Sequence, residues 1–193
     1  IMNIKGQCKN KTDELASSCF NMMKNMYKKE YSEILTLFFG ISISQTKSLE
    51  GVVHATTPEP FFMLEVPLPP KKSATLHECI ELFTENEILD GGNKYFNEKT
   101  NQHEKAFKQM KFWSLPDILI INLKRFSNNM RKNSTYIDFP LEVLDMSSHV
   151  IGYNSKSYVY DLYPICQHSG NVLGGHYTAC VKNLDNKWYI FND

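Results

Sequence analysis

Two glycines lead into a histidine in Gly174-Gly175-His176-Tyr177-Thr178-Ala179-Cys180-Val181, and Lys187-Trp188-Tyr189-Ile190-Phe191-Asn192-Asp193 follows shortly after. An imidazole and a nearby amide or carboxylate form the base and orienting group of thiol and serine hydrolases. One ring nitrogen takes the nucleophile's proton while the other is held by the polar partner. The stretch supplies no nucleophile of its own, so the function turns on whether a thiol elsewhere can serve.

The elements that must position this pair read as a hairpin. Tyr177 to Lys182 and Lys187 to Phe191 flank the turn-rich Asn183-Leu184-Asp185-Asn186. If Lys182 faces Lys187, His176 stands opposite Asp193 and Tyr177 opposite Asn192. Opposed Cβ atoms lie about 4.5 to 5.5 Å apart, within reach of a hydrogen bond between side chains. A shift of one residue or a bulge hands that place to Asn192, and the sequence leaves both partners open. A lone histidine is more often tied to a backbone carbonyl, but the glycine pair and the two polar residues opposite favour chemistry. The glycines would let the backbone approach a bound chain, and His168, Ser169 and Gly170 are expected to shape the same loop. His54, His77, His103 and His149 lack such company and read as surface residues.

Metal binding is the rival use of histidine and cysteine. His176 and Cys180 share one strand face but lie about 13 Å apart at roughly 3.3 Å per residue, too far for one zinc or for a thiol to reach the imidazole. Cys19 and Cys79 fall on expected helices among apolar neighbours, where an inert buried thiol is the natural state. Cys166 lies on another strand, and its distance from His176 is not readable.

Upstream, the spacing of Leu15, Cys19, Met22, Met23, Met26, Tyr27, Ile34, Leu35 and Phe38 predicts one or two amphipathic helices, with Asp13 as N-cap and Gly40 as stop. The methionine stripe reads as core packing. Strands are expected around Ile41 to Ile43, Val52 to Val53, Phe61 to Val66, Lys108 to Trp113, Asp117 to Leu123, Tyr158 to Ile165 and Tyr177 to Val181. A short helix over Thr75 to Phe83 opens with a capping box of Thr75 and Glu78, and Asp90-Gly91-Gly92-Asn93 is a turn. Phe126 to Ile137 and Ser169 to Gly175 read as loops, one polar and one glycine-rich.

The 193 residues suit one domain or two intimate subdomains, and 42% hydrophobic with 22% charged residues is an ordinary globular composition. Twenty-one basic residues balance 21 acidic ones, leaving no long-range field to collect nucleic acid or an anionic membrane. No apolar run approaches the length of a membrane span. The five cysteines are odd in number and carry no C-x-x-C pair, which points to reduced thiols and a cytoplasmic or nuclear location. The opening Ile1-Met2-Asn3 suggests a piece of a longer chain.

From Tyr31 onward the chain resembles the ubiquitin-specific proteases, deubiquitinating cysteine peptidases with a papain-like core. Leu115-Pro116-Asp117-Ile118-Leu119-Ile120-Ile121-Asn122-Leu123-Lys124-Arg125-Phe126, Phe139-Pro140, Leu144-Asp145 and the Gly174-Gly175-His176-Tyr177 segment carry the resemblance, the last being similar to the family's His box. It implies an α+β fold, mainly an antiparallel palm and fingers with N-terminal helices from part of the thumb. By chain position these would be a helical part over 1–39, a fingers-like region over 40–114 and a palm over 115–193. It also implies His176 as general base, Asn192 as its orienting partner and Asp193 as a helper at the oxyanion. His168, Gly170, Gly174, Gly175 and Tyr177 would touch the C-terminal tail of ubiquitin, under loops 126–137 and 169–175.

The chain departs from that pattern twice. The zinc-binding cysteines of the fingers are replaced by Ser48, Gly51, Asn97 and Thr100, so fingers folding without zinc, and no cofactor at all, are expected. The family's Cys box has no good counterpart: Cys19-Phe20-Asn21 resembles it faintly, and Gln7-Cys8 lacks the flanks. The expected activity is hydrolysis of the bond after the ubiquitin C-terminal glycine, with the nucleophile outside these residues and the chain alone inactive. A monomer with ubiquitin or ubiquitinated proteins as partners is expected. The alternatives are an inactive ubiquitin-binding scaffold of that descent and an unrelated thiol enzyme using Cys19 or Cys166.

Overall fold

The computed structural model describes residues 6–29, 31–127 and 129–193. In chain order the elements are α1 (Lys11–Lys29), α2 (Glu33–Phe38), β1 (Gly40–Lys47), β2 (Val53–Phe61), β3 (Met63–Val66), β4 (Ser73–Thr75), α3 (Leu76–Thr84) and β5 (Asn86–Leu89). They continue with β6 (Tyr95–Asn97), β7 (Gln102–Glu104), β8 (Ala106–Ser114), β9 (Ile120–Leu123), β10 (Tyr136–Asp138), β11 (Leu144–Asp145) and β12 (Val159–Tyr160). The last three are β13 (Pro164–Asn171), β14 (Gly174–Lys182) and β15 (Trp188–Phe191). The described chain forms two compact units, one of residues 1–64, 84–120 and 147–157, the other of 65–83, 121–146 and 158–193. Among the described residues no helix is long and apolar enough to cross a membrane.

The first unit is built on a sheet of order β2-β1-β8-β5, with antiparallel pairing throughout. Its central strand β1 buries Ile41 and Ile43, and α1 lays Leu15, Cys19, Met22 and Met23 against them. The methionine stripe is therefore core. The helix starts earlier than expected, because Asn10 is the cap: its Oδ1 accepts from the Asp13 amide at 2.9 Å, and Asp13 Oδ2 accepts from the Lys9 amide at 2.9 Å. Asp13 thus sits in the first turn of the helix, where a carboxylate complements the exposed N–H groups. His54 and His149 are half-buried rather than on the surface. His54 stacks on Tyr95 at 5.3 Å, and His149 Nδ1 meets Thr84 Oγ1 at 3.3 Å.

In the second unit the capping box of α3 is present: Thr75 N–H donates to Glu78 Oε2 at 2.7 Å, and Glu78 N–H donates to Thr75 Oγ1 at 3.1 Å. Just before the helix, β4 pairs in parallel with β10, a union across 60 residues of chain that local patterning does not reveal. Strand β9 begins at Ile120, shorter than expected. The largest sheet here is β13-β14-β15. The glycine-rich stretch 169–175 belongs to it: Ser169 pairs with His176, Gly170 with Gly175 and Asn171 with Gly174, so only Val172 and Leu173 form the connection. A glycine's missing side chain leaves its backbone N–H and C=O free to join a ladder, which the loop reading overlooked.

Candidate active site

The register of the last hairpin decides which side chain meets His176. Lys182 pairs with Trp188, not Lys187, and pairing runs on through Val181–Tyr189 and Cys180–Ile190 to Ala179–Phe191. The cause is a three-residue loop, Leu184 to Asn186, where four were expected. Asn183 N–H donates to Lys187 O at 2.9 Å, Asn186 N–H donates to Asn183 O at 2.9 Å, and Asn186 takes the left-handed conformation at φ 61°. This is a turn followed by a left-handed residue, in which asparagine is readily tolerated.

The shift of one residue changes every facing. Continued one step beyond Phe191, this register would set Asn192 opposite Thr178, on the same face as His176. Correspondingly, His176 Nε2 is hydrogen-bonded to Asn192 Oδ1. An amide oxygen only accepts, so Nε2 is the donor in this bond, and in the neutral ring the lone pair then falls on Nδ1. The bond orients the imidazole through Nε2 and leaves Nδ1 as the nitrogen available to a nucleophile. His176, Asn192 and Asp193 are all exposed.

Alternation along β13 and β14 puts His168, Gly170, Gly175 and Tyr177 on the face opposite His176. Of these, His168, Gly175 and Tyr177 border an open hollow of about 290 Å³, together with Phe126, Leu173 and Gly174, whereas Gly170 does not line it. The His168 ring packs against Tyr177 at 4.7 Å and receives the Phe126 ring edgewise at 5.4 Å. At Gly174 an added Cβ meets nothing within 4 Å, so the space beside this backbone is open. At Gly175 the space is already used: a Cβ would stand 2.2 Å from His168 Nε2 and 2.4 Å from Ser169 O. Phe126 and Leu173 escaped the sequence reading as individuals, since only tertiary contact gives them a common purpose. The aromatic ending of Lys124-Arg125-Phe126 was the one available signal.

The thiols are poorly placed for His176. Cys19 and Cys79 are buried, and burial pushes the Cys19 thiol up to about 11 and raises that of Cys79. Cys166 pairs with Ala179, three positions from the Ser169–His176 pair and therefore on the opposite face. Cys180 shares the face of His176, four residues away.

The four positions matching a zinc knuckle do not fit the metal. Ser48 and Gly51 form a turn closed by Gly51 N–H to Ser48 O at 3.0 Å. Asn97 donates to Glu104 Oε2 at 3.1 Å, and Thr100 Oγ1 donates to Glu104 Oε1 at 2.5 Å. Amide, hydroxyl and glycine offer none of the thiolate donors a structural zinc takes. Among the described residues no three His, Cys, Asp or Glu side chains gather as a ligand set.

The family model for "Ubiquitin carboxyl-terminal hydrolase" matches residues 3–193. The chain belongs to this family. It is 44% identical over 130 residues to human ubiquitin carboxyl-terminal hydrolase 15, a match covering 65% of this chain and 13% of that protein. It is 40% identical over 127 residues to ubiquitin carboxyl-terminal hydrolase 10 of Arabidopsis thaliana, covering 64% of this chain and 14% of the relative. These matched regions are thus a small part of each relative's length. Among solved structures, the chain is similar to one in the SAGA DUB module Ubp8/Sgf11/Sus1/Sgf73 bound to ubiquitin aldehyde, with a TM-score of 0.71 and 27% identity. That match covers 93% of this chain and 43% of the solved one. A chain of the same module bound to monoubiquitin matches with a TM-score of 0.71 and 28% identity. The fold is the α+β architecture of the ubiquitin-specific proteases, and the family's chemistry is thiol-dependent deubiquitination.

Proposed function

We propose that these residues are the base-bearing part of a deubiquitinating thiol hydrolase that cleaves the bond after the C-terminal glycine of ubiquitin. The observation that carries this reading is the His176–Asn192 bond, which leaves Nδ1 free to accept a proton. In the reaction, a cysteine outside residues 1–193 loses its proton to Nδ1 and its thiolate attacks the glycine carbonyl carbon. The imidazolium then protonates the departing amine as the carbon–nitrogen bond breaks, leaving a thioester. Water, activated by the same nitrogen, releases ubiquitin and restores the thiol. Asn192 keeps the ring in one orientation throughout. Asp193, next along the chain, is the polar residue placed to assist at the oxyanion.

The tail of ubiquitin is assigned to the hollow at Phe126, His168 and Tyr177, crossing the bare backbone at Gly174 towards the face that holds His176. The placement of Cys19, Cys79, Cys166 and Cys180, together with the absence of Cys-box flanks around Cys8, supports a nucleophile from elsewhere in the longer protein. Ubiquitin with a C-terminal electrophile, offered to the full-length protein and followed by peptide mass spectrometry, tests this. An adduct on a cysteine outside residues 1–193, lost in His176→Ala, is the expected result. Binding with no adduct would instead mark a scaffold, and an adduct on Cys19 or Cys166 an unrelated enzyme.

A further inference from the structure

The hollow has two walls that are far apart in sequence. One is the end of the β13–β14 hairpin, and the other is the segment around Phe126, which bridges back to Lys132 in antiparallel fashion. Lys132 joins them: its Nζ donates to His168 O at 2.8 Å and to Gly170 O at 3.1 Å. No carboxylate is involved, so the ammonium spends two of its three protons on backbone carbonyls of one strand. The acceptors flank Ser169, the residue paired with His176, and His168 itself lines the hollow.

Among the described residues, little else secures this junction. His168 touches Phe126 by ring contact alone, and its Nδ1 is buried without a hydrogen-bond partner. Gly170, at φ 117°, occupies backbone space that favours glycine and brings no side chain to the contact. Charge-assisted bonds to two carbonyls are the strongest polar link between the walls.

We propose that Lys132 is a positioning residue, a clamp that sets the spacing between Phe126 and the hairpin and so the width of the passage for the substrate tail. This rests on the reading that the tail uses the hollow. Lys132 acts through His168 and Gly170 and touches no reacting atom. Its loss should therefore weaken substrate capture while leaving the chemical step at His176 nearly intact.

The test compares Lys132→Met and Lys132→Arg in the full-length protein, using ubiquitin carrying a C-terminal fluorogenic amide. Methionine keeps the aliphatic stem and removes the donors, whereas arginine can again bridge both carbonyls. For Lys132→Met, KM should rise about tenfold with kcat within about twofold, as expected for lost ground-state positioning, and Lys132→Arg should restore most of KM. An unchanged KM in Lys132→Met, or an arginine variant as impaired as methionine, overturns the proposal. Amide hydrogen exchange over 168–176 separates it from the functional reading. Faster exchange there in Lys132→Met, with the β11–β12 pair unaffected, supports the clamp even if the wild-type protein turns over no ubiquitin substrate. Unchanged exchange refutes the clamp whatever the activity.

Discussion

The two main sheets of this molecule use the same antiparallel pairing for opposite ends. In β2-β1-β8-β5 the two inner strands are covered: Ile43 of β1 and Phe112 of β8 are fully buried, with Ile41 close behind. In β13-β14-β15 all four residues of the last strand are exposed, as are His176 and Asn192. The first sheet buries apolar side chains and carries no polar pair poised for chemistry. The second leaves a histidine and an amide in the open, joined by one bond. Stability and chemistry are thus housed on separate sheets, and substitutions in each should show up in different measurements.

The sharpest way to break this division is a pair of variants. His176→Ala in the full-length protein should lower kcat by about 10²- to 10⁴-fold, the usual contribution of a general base, while moving stability by no more than about 0.5 kcal/mol. Phe112→Ala should cost about 3–5 kcal/mol in denaturant unfolding, because a fully buried ring leaves a cavity. If His176→Ala unfolded the protein, or if Phe112→Ala left its stability unchanged, the division would fail. A smaller effect is expected where packing and site meet. Gly175→Ala presses a methyl group into His168 and the Ser169 carbonyl. Overpacking of this kind costs about 1–3 kcal/mol, and activity should fall with it as the hollow distorts. Thermal unfolding and KM, measured together, check this.

The smallest effect lies at the start of α3. A hydrogen bond from Lys71, at 2.6 Å, and another from the Thr75 amide hold the Glu78 carboxyl below its usual value. Its folded value is lower than its unfolded one, so the stabilisation is complete above the unfolded value of about 4.3. It is lost as pH falls through the folded value. An acid titration followed by amide signals at Thr75 and Leu76 should show this, and Glu78→Gln should abolish that part of the transition.

Much of this arrangement is local and was readable from residue order. The Thr75–Glu78 capping box, the methionine stripe of α1 and the hairpin after Tyr177 each depend on neighbours a few positions apart. The parallel β4–β10 pair and the Phe126–His168 contact join distant segments, and no periodicity announces them. The cap of α1 shows an intermediate case: Asn10 and Asp13 both suit a helix start, and only the bond directions distinguish cap from first turn.

Residue order alone determined that a base, His176, would share a hairpin with two polar candidates, since strand propensity and turn composition act over short range. Tertiary structure alone decided between them. The left-handed Asn186 shortens the loop to three residues, and because side chains alternate with a period of two, that single step brings Asn192 to the imidazole. The hollow was likewise a matter for the folded chain, as its walls meet through Lys132 and two carbonyls whose identities residue type does not encode.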